Sequence, residues 1–213
     1  MSETTNLRTG LADRIRAHIV AGTLAPGSRV NESQLSRELE VSRTPLREAL
    51  MAIERTGLLT SSPQRGFFVT PLSVREVREL YPIGRALDRL ALESAGPVPL
   101  AAIEALAKLN KRFAAARNRP ESARRIDRDF HTTLTARCPN RRLLALLEDV
   151  QASMERYERV YMADPLGIDR SVRQHDEVIA ALRDDDLEAA IRVFERQWDD
   201  SLRHLTRALG EQA

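Results

Sequence analysis

The most constraining feature of the sequence lies between residues 31 and 70, where a short helix, a tight turn, a second helix and a hairpin are predicted in close succession. Asn31 can cap the first helix, which then begins at Glu32, and Gln34 stands three residues after the cap, as a capping box requires. The apolar residues of this helix recur one turn apart. The pattern therefore predicts a short helix with a single buried stripe.

The second helix is predicted over residues 44 to 56 from its start signals and its apolar spacing. Ser42 or Thr44 can cap it, and Pro45 falls in its first turn, where no backbone donor is missed. The residues that would bury one face are Leu46, Ala49, Leu50 and Ile53. The residues on or beside the other face are Arg43, Thr44, Arg47 and Arg55. Such a helix can lie in a major groove, where arginine offers paired donors to guanine.

A two-stranded hairpin is predicted after this helix. Its strands are expected at residues 58 to 60 and 67 to 70, joined by the loop SSPQRG. Arg65 lies near the tip, where it could enter a minor groove or meet a phosphate. An arginine on an exposed helix is more often simply solvated, so DNA binding is inferred from the combination of elements, which is that of a winged helix-turn-helix.

The composition of the whole chain excludes several classes of protein. With 213 residues, 42% hydrophobic and 30% charged, it is long enough for one large domain or two small ones. No stretch approaches the roughly 20 apolar residues of a membrane span and no apolar signal core is seen, so a cytoplasmic location is expected. Cys138 is the single cysteine, which excludes an internal disulfide and a multi-thiolate zinc site.

Residues 71 to 213 are predicted to form a second, all-helical domain. A short linker ends at Ser73, which can form a capping box with Glu76. Helix-breaking residues divide the rest into intervals with apolar spacing of three and four, which predicts six helices and no strand. The expected fold class is mainly α, with an N-terminal winged helix-turn-helix over residues 1 to 70, including a small β-hairpin, and a C-terminal six-helix bundle.

Three side chains of the second domain are candidates for a divalent metal site. Asp127 and His131 lie one turn apart on one predicted helix, and His175 falls on the apolar face of a later one. Carboxylate and imidazole suit zinc, nickel or manganese. Asp and His at this spacing are also common as a hydrogen-bonded core pair or as a surface pair, so these interpretations stay open beside the metal site.

The run VSRTPLREAL, followed by QRGFFV, resembles the DNA-binding domain of GntR-type bacterial regulators over roughly residues 7 to 70. The resemblance implies DNA contacts at the matching positions, which are Ser33, Ser42, Arg43, Thr44, Arg47, Arg65 and Gly66. One departure is Glu40, in the turn where a glycine is usual. A left-handed conformation at Glu40 would cost about 1 kcal/mol, so the turn is expected to change slightly and keep its function.

The runs DRDFHTTL, RQHDEVIAAL and DDDLEAA resemble the FCD effector domain of the FadR subfamily over about residues 73 to 209. The resemblance implies a metal held by one Asp and three His, and Asp127, His131 and His175 match three of these ligands. The fourth is expected 22 residues after His175, where this chain has Gln197. Glutamine is a weaker ligand for zinc, but it can hydrogen-bond a bound water or contact an effector directly.

A second departure lies in the first helix of this domain. The family usually has an arginine four residues before an acidic one, and it often helps to bind a carboxylate effector; before Asp88 this chain has Gly84. Arg85, one place later, would point about 100° away around the helix. Further along, Tyr157 and Tyr161 are predicted to pack in the core, but either hydroxyl could contact an effector.

These features predict a dimeric transcriptional regulator, expected to be a repressor, that binds a pseudo-palindromic operator and responds to a small-molecule effector. One alternative is an effector-independent repressor whose helical domain only dimerises, which the changes at Gly84 and Gln197 favour. A distant alternative is a metal-dependent enzyme built on Asp127, His131 and His175. It lacks an obvious nucleophile or base beside these residues, and an enzyme would not need a DNA-binding domain.

Overall fold

The computed structural model describes the backbone of residues 3 to 210 and the side chains of residues 10 to 210. Over this range the chain forms nine helices and one antiparallel two-stranded sheet, which confirms the mainly α fold. It divides into two compact units, with the division between Leu72 and Ser73, two residues beyond the predicted boundary. None of the helices in the described range is long and apolar enough to cross a bilayer.

The first unit contains three helices and the hairpin: α1 (Glu3–Val20), α2 (Glu32–Glu38), α3 (Arg43–Glu54), β1 (Leu59–Ser62) and β2 (Gly66–Val69). The predicted apolar face of α3 is buried, and Leu46, Leu50 and Ile53 have no exposed surface. Helix α1 was not singled out by the sequence patterns; its Ile15 and Ile19 pack into the same core. This core holds α3 against α1 and β1, and the polar face of α3 therefore remains exposed to solvent.

The capping interactions predicted for α2 and α3 are only partly present. The Oδ1 atom of Asn31 accepts a hydrogen bond from the backbone N–H of Gln34 at 3.1 Å, but the Gln34 side chain donates to Glu38 instead of returning to the cap. Ser42 occupies the N-cap of α3 with no side-chain capping bond to the described residues. Glu40 has a φ of 55°, so it adopts the left-handed conformation whose cost was considered for this position.

The hairpin differs from its prediction in the length of its strands. The paired positions run from Leu59 and Val69 to Ser62 and Gly66, so the connecting turn has three residues instead of the predicted six. The predicted loop was too long because strand pairing uses backbone groups, which serine supplies as well as an apolar residue does. A left-handed residue in the turn, Gln64 with a φ of 61°, allows the tight connection.

The second unit contains the six helices that were predicted, and no strand occurs in its described part. They are α4 (Val74–Ala95), α5 (Leu100–Ala115), α6 (Pro120–Thr135), α7 (Arg141–Met162), α8 (Pro165–Arg183) and α9 (Leu187–Gly210). Helix α4 packs on α7 and α9, α5 packs on α6 and α8, and α8 packs on α9. Phe130, Val178 and Phe194 belong to one buried cluster and bring α6, α8 and α9 together. Cys138 is buried beside Ala91 as a packing residue.

Candidate nucleic-acid interface and metal centre

The start of α3 lies beside α2 on an open concavity of about 470 Å³. The residues that line it are Arg29, Val30, Asn31, Glu32, Ser33, Arg43 and Arg47. Arg29 was not a predicted site residue, because it lies in a connecting segment with no periodicity. A backbone bridge between Arg29 and Phe68 joins that segment to β2 and explains why it reaches this surface.

The two arginines of α3 are held loosely on this surface. Arg43 donates to the Oγ atom of Ser33 at 3.3 Å. The Nε atom of Arg47 lies 3.6 Å from a carboxylate oxygen of Glu32, and 60% of the Arg47 side chain is exposed. An exposed pair at this distance contributes little free energy, so a phosphate or a base can replace it. Ser42 and Thr44 are exposed in the same turn.

The hairpin turn carries the two remaining predicted DNA-contact residues. Arg65 is exposed. Its guanidinium carbon lies 5.7 Å from the centre of the Phe68 ring, which is within the range of a cation–π interaction. Gly66 has a φ of 85°, a conformation that a residue with a Cβ would adopt only with strain. Neither residue lines the concavity at α3, but Gly66 lies next to it, because a Cβ at Gly66 would lie 3.4 Å from Oε1 of Glu32 and 3.9 Å from Nη2 of Arg29.

A polar cluster lies inside the second unit, where Asp127 and His131 from α6, both half-buried, meet the fully buried His175 from α8. One donor atom from each lies within 4.8 Å of the others. The Nε2 atoms of His175 and His131 lie 3.5 Å and 3.7 Å from the two carboxylate oxygens of Asp127. The single-turn spacing of the α6 pair, combined with the packing of α8 on its neighbours, brings the three side chains to one place.

The imidazole of His175 is fixed on three sides. Its ring stacks on Phe130 with centroids 3.7 Å apart and an angle of 10° between the planes. Its Nδ1 atom lies 3.1 Å from Oδ1 of Asn110 on α5, and its Nε2 atom lies 3.1 Å from Nε2 of Gln197 on α9. Asn110 was missed by the sequence analysis; its only signal was a polar residue on the apolar face of α5 between Leu106 and Phe113.

Burial sets the protonation of the cluster. It raises the pKa of Asp127 well above the ordinary value, and the charge of Glu158 raises it further. Burial lowers the pKa of His131 to about 4. Burial and the neighbouring His131 also hold the pKa of His175 well below its usual range. Both imidazoles are therefore neutral near pH 7, which is the form that ligates metals.

The donor set fits a divalent cation. Oδ1 of Asp127 and Oε1 of Gln197 are buried, and neither accepts a hydrogen bond from any described residue. Buried acceptors without donors are unfavourable unless a cation, a proton or a ligand faces them. Two neutral imidazoles, a carboxylate and an amide oxygen can satisfy zinc, nickel or manganese.

A small cavity adjoins the cluster, with a free volume of about 60 Å³. Its lining includes Tyr81, Asp127, His131, Met154, Glu158, Tyr161, Ser171, Gln197 and Trp198. This is room for a few water molecules or a ligand of few atoms. Tyr161 faces the cavity, and its hydroxyl donates to the Gly167 carbonyl at 3.2 Å and lies 3.1 Å from the Oγ atom of Ser171.

Comparison with known proteins assigns each of the two units to a known domain family. Residues 7 to 69 match the model of the gntR family of bacterial regulatory proteins, and residues 79 to 208 match the FCD domain. The chain belongs to the GntR family. It is therefore a DNA-binding transcriptional regulator with an FCD effector-binding domain, and the enzyme interpretation is set aside because the family consists of regulators.

Relatives of similar length support this assignment. The HTH-type transcriptional regulator YdhC of Bacillus subtilis is 30% identical, over 93% of this chain and 91% of its own length. The HTH-type transcriptional repressor RspR of Escherichia coli is 27% identical, over 84% of this chain and 80% of its own. The solved structure of Escherichia coli McbR/YncC has the same fold, with a TM-score of 0.79, 19% identity, and coverage of 97% of this chain and 99% of its own.

Tyr157 lies away from the cavity of this GntR-family protein. Its hydroxyl accepts from the backbone N–H of Ser73 at 3.1 Å and donates to the carboxylate of Glu76. The Oγ atom of Ser73 accepts from the Glu76 N–H at 3.4 Å, while the Glu76 carboxylate also accepts from Arg156 at 2.6 Å. The expected capping box is thus half made, and Tyr157 fastens α7 to the beginning of α4.

The arginine expected in the first FCD helix is replaced by a tryptophan from another helix. A Cβ at Gly84 would lie 2.5 Å from Cη2 of Trp198, so the indole occupies the space next to the glycine. The indole N–H donates to Oδ2 of Asp88 at 3.0 Å. Arg85 pairs instead with Asp199 at 3.1 Å on a partly exposed surface. Arg85 therefore does not take the place of the family arginine, and the arginine that lines the cavity is Arg128 of α6.

Proposed function

We propose that this GntR-family protein is a cytoplasmic, homodimeric transcriptional repressor that binds a pseudo-palindromic operator. We further propose that its DNA affinity changes when a small molecule binds beside a divalent metal ion in the FCD domain. The observation that carries the second part is the cluster of Asp127, His131 and His175, which opens into the cavity. Repression is supported by the name of the relative RspR.

In the proposed DNA complex, α3 enters the major groove with its first turn against the base edges. Arg43 and Arg47 are exposed and loosely paired, so they can exchange their present partners for guanine or phosphate. The first backbone N–H groups of α3 favour a phosphate, with Ser42 and Thr44 beside them. Arg65 and Gly66 would contact the backbone or minor groove from the hairpin, and Ser33 and Arg29 would add contacts beside α3.

A homodimer is supported by an apolar stripe on α4. Ile83 and Leu90 are two turns apart on the same face, and they are 49% and 48% exposed. Exposed apolar residues at this spacing form a surface that a second copy can cover. A two-fold axis would present two equal recognition helices, which is why an inverted repeat is expected in the operator.

The proposed metal site uses Asp127, His131 and His175, with the Gln197 carbonyl oxygen or a water as a further ligand. When bound, a divalent ion would supply a coordination position for an oxygen or nitrogen atom of the effector. The amide of Gln197 presently turns its nitrogen toward His175, so it would have to rotate to present Oε1. Tyr161 and Ser171 would complete the effector contacts. Tyr157 would act indirectly, since its hydroxyl is engaged at Ser73 and Glu76.

Helix α7 offers a route from the cavity to the linker. Its residues Glu158 and Tyr161 line the cavity, while Tyr157 on the same helix bonds Ser73, the first residue of the second unit. An effector that favours a different position of α7 would move the point where the linker attaches. That displacement would change the spacing of two DNA-binding units and hence the operator affinity.

The effector-independent repressor remains the second candidate, because Gln197 already hydrogen-bonds His175 and the cavity is small. We would first determine the metal content per chain of untagged protein purified without chelator. About one ion per chain, lost on chelation together with a fall in melting temperature, is expected. A metal-free protein whose melting temperature does not respond to zinc, nickel or manganese would favour the second candidate.

The DNA-binding part needs its own measurement. Selection from random duplexes should yield an inverted repeat, bound by a dimer whose mass is determined by light scattering. A single, non-repeated motif bound by one chain would contradict the dimer and the palindrome while leaving the metal site untouched.

A further inference from the structure

We infer that Asn110 is a positioning residue that fixes the tautomer of His175, keeping the imidazole proton on Nδ1 and leaving a lone pair on Nε2, the nitrogen that faces Asp127 and Gln197. This inference rests on the proposed metal site and deepens it. It also bears on two of the interpretations of the Asp and His residues that the sequence left open, a metal site and a hydrogen-bonded core pair.

The orientation of the Asn110 amide is set by two acceptors. Its Nδ2 atom lies 3.0 Å from the carbonyl oxygen of Val172 and 2.7 Å from Oδ1 of Asp176. A carbonyl and a carboxylate can only accept, so the NH2 group must face them. The opposite orientation would place the amide oxygen against both acceptors and lose two hydrogen bonds, one of them charge-assisted. Asn110 is 3% exposed, so no bulk water competes for these bonds.

The Asn110 oxygen then decides the protonation of His175. With the NH2 group committed, Oδ1 faces Nδ1 of the imidazole at 3.1 Å. Because this oxygen can only accept, Nδ1 must carry the proton. The ring is fully buried and stacked on Phe130, which excludes rotation to another partner. A neutral imidazole has one N–H, so Nε2 is left with a lone pair.

This tautomer keeps the site open. The Nε2 lone pair then accepts from the Gln197 amide at 3.1 Å and lies 3.5 Å from Oδ1 of Asp127, to which His175 donates no hydrogen bond. The other tautomer would place an N–H on Nε2 and close the gap with a bond from His175 to Asp127. By holding the proton on the far side of the ring, Asn110 prevents that closure, and a cation can use the lone pair once the Gln197 amide rotates away from it.

The tautomer can be read directly in the full-length, metal-free protein by long-range proton–nitrogen NMR of ¹⁵N-labelled histidine. His131→Ala and His204→Ala spectra would help to assign the His175 signals. We expect the chemical shift of Nδ1 to be that of a protonated nitrogen and the shift of Nε2 to be that of an unprotonated one. A proton on Nε2 in the wild-type protein would overturn the inference, whether or not any metal binds.

A variant tests the consequence for binding. Asn110→Leu keeps a similar size but removes the acceptor, so the proton should move to Nε2 and zinc affinity should fall about 10- to 100-fold in competition titrations. Gln174→Leu is the matched control: it removes a buried amide of α8 that bonds Asp200 at 2.7 Å, and it should leave the His175 tautomer unchanged. An unchanged tautomer and affinity in Asn110→Leu would also contradict the inference.

The experiment separates this inference from the proposed function. If wild-type protein binds no zinc but shows the expected tautomer, the metal proposal fails and the role of Asn110 stands. If zinc binds but the His175 proton is on Nε2, the metal proposal stands and the role of Asn110 fails. Should Asn110→Leu fail to fold, the wild-type spectrum alone still decides the tautomer.

Discussion

At the scale of single residues, the carboxyl of Asp88 lies in an environment that favours its neutral form. It is fully buried, receives one hydrogen bond from Trp198, and its Oδ1 atom has no partner among the described residues. Burial raises the pKa of Asp88 to about 7, although the bond from Trp198 opposes the shift. Ionisation of Asp88 therefore lowers the stability of the folded protein at pH values where the carboxyl must lose its proton.

We predict that Asp88→Asn reduces the pH dependence of stability. A folded pKa raised from 3.8 to about 7 means that the wild-type protein loses stability as pH rises between these values, by up to about 4 kcal/mol. Asparagine stays neutral and can still accept from Trp198. Urea unfolding of both proteins from pH 4 to 8 should give curves that diverge as pH rises. Parallel curves, or the same divergence in a variant of the exposed Asp149, would refute the assignment.

We predict that Gly84→Ala destabilises the second unit by about 1 to 3 kcal/mol, because overpacking forces ring shifts. The new Cβ would lie 2.5 Å from the Trp198 ring, which also contacts Tyr81 at 5.4 Å between centroids. Trp198 is the only tryptophan, so its fluorescence reports the displacement. Gly10→Ala, where no atom lies within 4 Å of the new Cβ, is the control and should not destabilise. Equal stability of the two variants would contradict the prediction, because it would mean that the Trp198 indole can move away from a Cβ at position 84 without cost.

At the scale of elements, α3 uses one face for packing in the core and leaves its proposed DNA-contact residues off that face. Its inward residues Leu46 and Leu50 have no exposed surface, while Arg43 and Arg47 are exposed beside this buried face. A change on the outer face should therefore alter binding without altering the core. The helix can present its arginines because α1 and β1 fix its inner face.

We predict that Arg47→Ala costs about 1 to 3 kcal/mol of base discrimination if the arginine contacts a guanine. Its side chain is 60% exposed, so the melting temperature should change little. Selection from random DNA should show relaxed preference at one position in each half-site. Arg37→Ala, an exposed arginine of α2 outside the concavity, is the control. An unaltered sequence preference in Arg47→Ala would remove this residue from the recognition set.

At the scale of the whole molecule, each candidate site lies within one compact unit with its own core. The basic surface belongs to the first unit, and the Asp127, His131 and His175 cluster belongs to the second. Damage to one site should therefore leave the other intact, apart from the coupling that we propose through α7.

We predict that His175→Ala abolishes metal binding while operator binding persists. The variant removes one of three clustered donors, but every proposed DNA contact lies in the first unit. Metal content and operator affinity should be measured on the same preparation. His204→Ala is the control, since His204 lies in the same unit but pairs with Asp164 at 3.7 Å, outside the cluster. Loss of the dimer or of the fold in His175→Ala would point to a purely structural histidine.

The elements and the pairing of two of the three cluster residues within α6 could be predicted because they depend on local spacing. The three-and-four repeat of α3 fixes its buried face, and one helical turn brings Asp127 and His131 to the same side. The hairpin was less well predicted, because backbone pairing at Ser61 and Ser62 does not require apolar side chains. The resemblance to the FCD domain located Gln197, which spacing alone would not have found.

Local sequence patterns were enough to predict the two domains, the proposed recognition helix and the candidate metal ligands, since each follows from short-range periodicity or a continuous motif. Packing in three dimensions, by contrast, places Arg29 at the proposed DNA-binding surface and Asn110 behind His175. It likewise decided that Trp198 fills the space beside Gly84 and bonds Asp88. These contacts join residues far apart in the chain, and they depend on how the helices pack. A single sequence carries no local signal for such packing.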